Sequence, residues 1–186
     1  MDITNKTTKL RRFANGLTLF RLFAAIPLLI ALSTEFLGLA WLIICISGAS
    51  DIADGYLARR AGGGSTWGAR FDPLADKLFL IAPLLWLLSK DILPVWSIWV
   101  VVSRELIITY WRSSKAHGGP AGLLGKLKTI LQFISILLML WPANWGDIYL
   151  SILLNKIGWY LFWPSLLLSI NSGFVYLISQ EEHRQN

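Results

Sequence analysis

Residues 51–76 read DIADGYLARRAGGGSTWGARFDPLAD and place four aspartates in an otherwise apolar chain. Asp51 and Asp54 are spaced i, i+3, whereas Asp72 and Asp76 are spaced i, i+4. On a helix, each spacing puts both carboxylates on one face. The glycine-rich stretch between the pairs is a turn signal and is short enough to join antiparallel neighbours. The sequence therefore predicts that the four carboxylates converge at one end of two adjacent helices.

Four ionised carboxylates at one point would repel one another strongly wherever water is scarce. Bound cations would remove this repulsion, and oxygen ligands without His or Cys nearby favour Mg²⁺ or Mn²⁺ over Zn²⁺. Four carboxylates suffice to bridge two ions, and two-metal sites suit displacement at phosphorus. The alternative is a charge cluster in which the aspartates pair with Arg59, Arg60, Arg70 and Lys77. The helical spacing on two neighbouring segments favours a functional site over this cluster.

The rest of the chain is apolar enough for a membrane protein. Hydrophobic residues make up 55% of the 186 residues, charged residues make up 15%, and the mean hydropathy is +0.56. We therefore expect an all-α integral membrane protein with one domain, residues 1–186. The last apolar segment is long enough to include interfacial residues or a break near Gly158 or Pro164. Six transmembrane helices are predicted by the apolar segments at 17–34, 36–58, 72–90, 92–115, 124–142 and 150–178.

Basic residues set the expected orientation. If both termini face the cytoplasm, every Lys and Arg except Lys90 and Lys156 lies at the inner side. The positive-inside rule then places the termini and the active site on the cytoplasmic face of the inner (plasma) membrane. Residues 1–15 would be cytoplasmic or interfacial, and residues 7–17 form either an interfacial amphipathic helix or a basic linker. This surface would attract anionic membrane lipids, and no groove-reading motif indicates nucleic acid.

The aspartate stretch resembles the signature of the CDP-alcohol phosphotransferase family, D-x2-D-G-x2-A-R-x8-G-x3-D-x3-D. Every fixed position is filled without insertion, so residues 51–76 would be the catalytic motif. The resemblance implies a metal site of Asp51, Asp54, Asp72 and Asp76, with Asp76 also the general base. It also implies a CDP-lipid site formed by Asp54, Gly55, Ala58, Arg59 and Gly68. The small residues there would let a base or a phosphate approach the backbone, although they also suit close helix packing.

Three further stretches resemble bacterial phosphatidylglycerophosphate synthases: NGLTLFRLFAAIP at 15–27, SRELIITYWR at 103–112 and GKLKT at 125–129. Arg104 and Arg112 are two helical turns apart and share a face, whereas two lysines in GKLKT cannot share one. A single Lys or Arg at a helix end more often extends its charged group to the membrane–water interface than binds a substrate. Glu105 is expected to pair with a basic residue. These cations would form a wall that binds a phosphate on the substrate that accepts the transferred group. The wall would comprise Arg104, Arg112, Lys126 and Lys128, with one of the two lysines in contact with that substrate.

The resemblance implies transfer of a phosphatidyl group from CDP-diacylglycerol to sn-glycerol 3-phosphate. The products would be phosphatidylglycerophosphate and CMP, and the enzyme would be a homodimer. Within the family, a cardiolipin synthase or a phosphatidylinositol phosphate synthase would keep the aspartates and change the acceptor. An alternative of another class is a small cation transporter. Transporters usually bind their ions near the bilayer midplane, however, whereas these acids are expected at one edge.

Overall fold

The computed structural model describes residues 3–60, 66–113 and 123–185, and all regular secondary structure in these ranges is helical. The all-α expectation with six helices is therefore confirmed. The chain divides into two compact units, Met1–Trp86 and Leu87–Asn186, and the expectation of one functional domain stays a prediction. The helices are α1 (Ile3–Ser33), α2 (Leu37–Arg60), α3 (Thr66–Ser89), α4 (Val95–Ser113), α5 (Leu123–Met139) and α6 (Ile148–Gln185).

In the first unit, α1 packs against α2. The outward faces of these helices are also apolar, since Phe23 is 64% exposed and Ile30 is 58% exposed. Helices that are apolar on every face occur in the cores of large proteins and in membranes. The inward faces carry small and branched residues at helical spacing, namely Ala24, Leu28, Ala31 and Leu32 on α1 and Ala40, Ile44 and Ser47 on α2.

Two helices end in the same way, at a residue in the left-handed region. Glu35 follows α1 with φ 60°, and Asp91 follows α3 with φ 55°. After α3, the Asp91 N–H donates to the Leu88 carbonyl and the Ile92 N–H donates to the Leu87 carbonyl, each at 3.0 Å. This pair of hydrogen bonds is the Schellman motif, which satisfies carbonyls at a helix end. The motif stops α3 sharply and starts the turn into α4.

In the second unit, α5 and α6 form a tightly joined antiparallel pair. The Ser135 hydroxyl donates to the Gly158 carbonyl at 2.8 Å. With its amide in the orientation that satisfies both of its polar atoms, Asn155 donates to the carbonyls of Leu138 (2.7 Å) and Met139 (3.3 Å). These carbonyls lie in the last turn of α5, where backbone donors run short, although the Leu138 carbonyl also accepts from the Trp141 N–H at 3.2 Å. Small and polar side chains therefore both join and cap this pair.

Aromatic residues join α4 and the turn before it to α6. The Trp159 indole N–H donates to the Ile92 carbonyl at 3.1 Å. The Trp163 ring lies 5.5 Å from the Trp96 ring and 5.4 Å from the Trp159 ring, measured between centroids. Tilted and edge-to-face pairs at such distances stabilise beyond the area that they bury.

Gly158→Ala is expected to destabilise the protein by about 1–3 kcal/mol through overpacking. A Cβ atom at this position would lie 2.7 Å from the Met139 nitrogen and 2.8 Å from the Ser135 oxygen, both of them backbone atoms. The variant should therefore show a lower Tm in detergent micelles. Gly16→Ala is the matched control, because nothing lies within 4 Å of a Cβ there and Ala is the better helix former. A wild-type Tm in Gly158→Ala would contradict this packing.

Of the alternatives stated for the two ends of the chain, one at each end is wrong. The break near Gly158 or Pro164 is absent, because α6 continues through both residues. Gly158 is fixed against α5, and Pro164 removes only one hydrogen bond of the helix ladder. The basic linker is also wrong, since residues 7–17 belong to α1. Lys and Arg are good helix formers, which favours this continuation, and the interfacial position of the segment stays a prediction.

The predicted membrane spans have a separate outcome. Across the residues that the structure describes, none of the helices combines the length and the apolar run that crossing a membrane would require.

Candidate active site

The four aspartates lie on the two helices that their spacing predicted. Asp51 and Asp54 belong to α2, whereas Asp72 and Asp76 belong to α3. The side chains of Asp54, Asp72 and Asp76 lie outside the described residues, so the convergence of the carboxylates stays a prediction. Among the side chains that are described, no group of three or more His, Cys, Asp and Glu could hold a metal ion.

The Asp51 carboxylate is held by a cation on the neighbouring helix. Arg21 on α1 donates from Nη1 to Asp51 Oδ1 in an ion pair. The Arg21 side chain is only 3% exposed, whereas that of Asp51 is 52% exposed. Arg21 continues the buried face of α1 that carries Ala24 and Leu28. A buried guanidinium requires a partner, and this pairing orients Asp51 at the edge of the α1–α2 contact.

The donor set fits a divalent cation of the Mg²⁺ or Mn²⁺ type. All four predicted ligands are carboxylates, and hard oxygen donors are what these ions prefer. Asp51, the described member, is half exposed and therefore open to an ion from solution. Helical backbone at both pairs keeps the i, i+3 and i, i+4 relations on which the prediction depends.

In the second unit, three helices bring charged and polar residues together. Arg104 on α4 donates from Nη1 to Glu105 Oε1 at 2.9 Å, and Lys128 on α5 forms an ion pair with the same oxygen. Arg104 also donates from Nε to the Ser169 carbonyl at 3.1 Å and from Nη2 to the Ser172 hydroxyl at 2.7 Å, both on α6. The expected pairing of Glu105 is confirmed, and it involves two cations. We call Arg104, Glu105 and Lys128 the cation cluster.

The cation cluster lies at the border between interior and surface. Its side chains are 16% exposed at Arg104, 17% at Glu105 and 4% at Lys128. Among the described residues, two cations share one carboxylate here, and Arg and Lys are the side chains that bind phosphate. Lys126 is exposed, so the two lysines of GKLKT differ in burial as their spacing indicated. Arg112 belongs to α4, but its side chain lies outside the described residues.

The residues predicted to bind the CDP-lipid lie on the same helices as the aspartates. Gly55, Ala58 and Arg59 belong to α2, and Gly68 belongs to α3. The surroundings of these side chains also lie outside the described part of the chain. Their role in binding the nucleotide lipid stays a prediction.

Sequence reasoning missed two features of this region. The pattern of basic residues assigns Arg21 only to the inner side, although a cation inside an apolar segment is itself a signal that a buried partner exists. The contacts of Arg104 with Ser169 and Ser172 were also missed. Serines are common in membrane helices, so nothing in the sequence distinguishes these two.

Comparison with known proteins identifies the family. Residues 11–171 match the family model described as CDP-alcohol phosphatidyltransferase. Because this match covers most of the chain, the protein belongs to the CDP-alcohol phosphatidyltransferase family, and the resemblance of its aspartate stretch is confirmed. It is a transferase of phospholipid biosynthesis, in a family that generally uses divalent metals and is generally membrane-bound.

Individual relatives extend the similarity. CDP-diacylglycerol–glycerol-3-phosphate 3-phosphatidyltransferase of Rickettsia typhi is 30% identical over 175 residues, which cover 90% of this chain and 96% of that protein. The Bacillus subtilis protein of the same name is 38% identical over 98 residues, 51% of each chain. A CMP-forming cardiolipin synthase of Streptomyces coelicolor is 32% identical over 165 residues, 83% of this chain and 75% of that protein.

Proposed function

We propose that the protein transfers the phosphatidyl group of CDP-diacylglycerol to sn-glycerol 3-phosphate, giving phosphatidylglycerophosphate and CMP. Family membership supports the CDP-lipid donor, and the Rickettsia and Bacillus relatives are named for this reaction. The observation that carries the choice of glycerol 3-phosphate is the name of these relatives, and the cation cluster supports an acceptor that bears a phosphate. Two cations gathered on one carboxylate suit an acceptor that brings its own phosphate.

The reaction is a displacement at the phosphorus that bears the diacylglycerol. Asp76 takes the proton of the acceptor hydroxyl while the hydroxyl oxygen attacks this phosphorus. The bond from the phosphorus to the bridging oxygen of the diphosphate breaks, and CMP leaves with that oxygen. Asp51, Asp54, Asp72 and Asp76 would hold two divalent ions, whose chemistry when bound is to stabilise charge on the attacking and leaving oxygens.

The donor is held by residues that flank the carboxylates. The Arg59 guanidinium donates to the diphosphate and offsets its charge. Gly55, Ala58 and Gly68 leave room for the cytosine and the phosphates to approach the backbone. Asp54 is shared between the ions and the nucleotide. Arg104 and Lys128, with Arg112 and Lys126 near the same helix ends, receive the phosphate of the acceptor.

The donor also requires contact with a bilayer, so we propose that the six helices span the inner membrane with the termini and active site at the cytoplasmic face. The exposed apolar faces of α1 and α2 support this location. Three tryptophans cluster beside the turn after Lys90, namely Trp96, Trp159 and Trp163. The positive-inside rule predicts that this turn lies at the outer face of the membrane. Trp concentrates at membrane interfaces. A homodimer in contact with membrane lipids is a further part of this proposal.

A cardiolipin synthase is the second candidate, because the Streptomyces relative has that name at similar identity. The acceptor would then be phosphatidylglycerol, whose phosphate could also meet the cation cluster. A phosphatidylinositol phosphate synthase stays an alternative, which the acceptor panel below tests. Membership of a transferase family argues against the cation transporter.

A panel of acceptors tests the proposal. The purified protein is mixed with CDP-diacylglycerol, Mg²⁺ or Mn²⁺, and one of three acceptors: glycerol 3-phosphate, phosphatidylglycerol or inositol phosphate. We expect CMP release with glycerol 3-phosphate to exceed release with the other two by at least about tenfold. Mass spectrometry should then identify phosphatidylglycerophosphate. A sample without acceptor gives the hydrolysis background. Release only with phosphatidylglycerol would replace the first candidate with the second.

A further inference from the structure

Two polar groups beside the cation cluster are buried and make no hydrogen bond within the described part of the chain. They are the hydroxyl of Ser169 and the Nε2 amide group of Gln132. Ser169 is 0% exposed and Gln132 is 2% exposed. The great majority of buried polar side-chain atoms have a partner, and an unsatisfied one destabilises the folded protein. Each group therefore calls for an explanation.

Both residues adjoin the cation cluster. The Ser169 carbonyl accepts from Arg104 Nε at 3.1 Å, so Ser169 lies next to Arg104. Gln132 follows Lys128 by four residues on α5, and residues so spaced are neighbours on one helix face. The hydroxyl of Ser172, by contrast, accepts from Arg104 and donates to the Ser169 carbonyl. The Ser169 hydroxyl thus takes no part in holding Arg104.

We propose that Ser169 and Gln132 bind the hydroxyl of the acceptor that does not react. This inference rests on the proposed function. Glycerol 3-phosphate carries a phosphate, a primary hydroxyl that attacks, and a secondary hydroxyl that stays free. With its phosphate on Arg104 and Lys128, the free hydroxyl meets a serine that can donate and accept and an amide that can donate. The two protein groups then gain partners only when the acceptor is bound.

This arrangement makes the secondary hydroxyl a determinant of specificity. A site built to hydrogen-bond a substrate hydroxyl rejects an analogue that lacks it, because its own polar groups are then left unsatisfied. 3-Hydroxypropyl phosphate is such an analogue, with the same phosphate and primary hydroxyl but no secondary hydroxyl. We expect the wild-type kcat/KM to be about tenfold higher for glycerol 3-phosphate than for this analogue, which corresponds to about 1.4 kcal/mol.

The test compares this ratio between variants. In Ser169→Ala the ratio should fall toward one, because glycerol 3-phosphate loses a partner that the analogue never had. Ser165→Ala is the matched control on α6 and should keep the wild-type ratio. Ser165 is 1% exposed, and its hydroxyl already donates to the Phe162 carbonyl at 2.7 Å. Gln132→Met tests the amide in the same way with a side chain of similar size.

Thermal unfolding separates loss of a binding group from loss of structure. Ser169→Ala and Gln132→Met each remove an unsatisfied polar group, so the Tm of each variant should equal or exceed that of the wild type. A wild-type ratio in Ser169→Ala or in Gln132→Met would overturn the assignment of that residue. An active wild type with a ratio of one would overturn this inference alone. A wild type that forms no phosphatidylglycerophosphate would overturn the proposed function and, with it, the inference.

Discussion

Replacing Asp76 with Asn is expected to abolish phosphatidyl transfer while the protein still folds and enters the membrane. Asn preserves the size of the side chain, but it cannot take the proton of the acceptor hydroxyl and is a weaker ligand for a divalent ion. A general base contributes about 10²–10⁴-fold to rate, and the weakened ion site adds to the loss. CMP release by the purified variant should therefore fall by at least about 10³-fold.

Asp91→Asn is the matched control for this experiment. It makes the same chemical change at an exposed turn after α3, where φ is 55°, and Asn tolerates this conformation well. We expect wild-type turnover from that variant. Normal turnover in purified Asp76→Asn would remove Asp76 from the mechanism, whereas loss of turnover in both variants would point to a general fault in folding.

Replacing Arg21 with Met is expected to raise the concentration of Mg²⁺ or Mn²⁺ needed for half-maximal activity. Arg21 orients Asp51, a predicted ligand, and removing a partner that orients a ligand typically weakens metal binding about 10–100-fold. Met has a similar length and suits the buried site. Asp51 is 52% exposed, so losing its partner does not leave a buried charge. Mn²⁺ binding followed by electron paramagnetic resonance measures the effect without turnover.

Two further variants define what Arg21 contributes. Arg21→Lys keeps the charge but loses the planar fork of donors, so its metal requirement should lie between those of the wild type and Arg21→Met. Lys156→Met removes a cation at an exposed position of α6 and should leave metal binding unchanged. If Arg21→Met binds Mn²⁺ as tightly as the wild type, the ion pair only joins α1 to α2.

Long apolar segments made the helices predictable, because apolar runs of this length favour helices over the much shorter strands. The segments at 36–58 and 92–115 agree closely with α2 and α4. The turn signal KDILP likewise agrees with the left-handed Asp91 after α3. For residues 7–17 the sequence leaves an amphipathic helix and a basic linker open, because no long apolar run covers them, whereas the structure shows one continuous helix from Ile3.

The site was predictable where its chemistry is local in sequence. The aspartate pairs are separated by three and four residues, so helical geometry alone relates their members. The Arg21–Asp51 pair joins residues 30 positions apart and depends on how α1 and α2 align. The link from Lys128 to Glu105 spans 23 positions and depends on the packing of α5. Spacing along one helix does not predict contacts between helices. The partners of Arg21 and Lys128 therefore follow from the three-dimensional structure alone.

The contact between α5 and α6 has a consequence for how the protein folds during translation. Its Ser135–Gly158 hydrogen bond closes a loop of 23 positions, whereas the Arg104–Ser169 contact spans 65. Shorter closures cost less entropy and form sooner. During translation, we therefore expect the α5–α6 pair to form first and α4 to pack against it afterwards. A nascent chain stalled before Ser169 would contain all four aspartates of the motif, but Arg104 would lack its hydrogen-bond partners on α6.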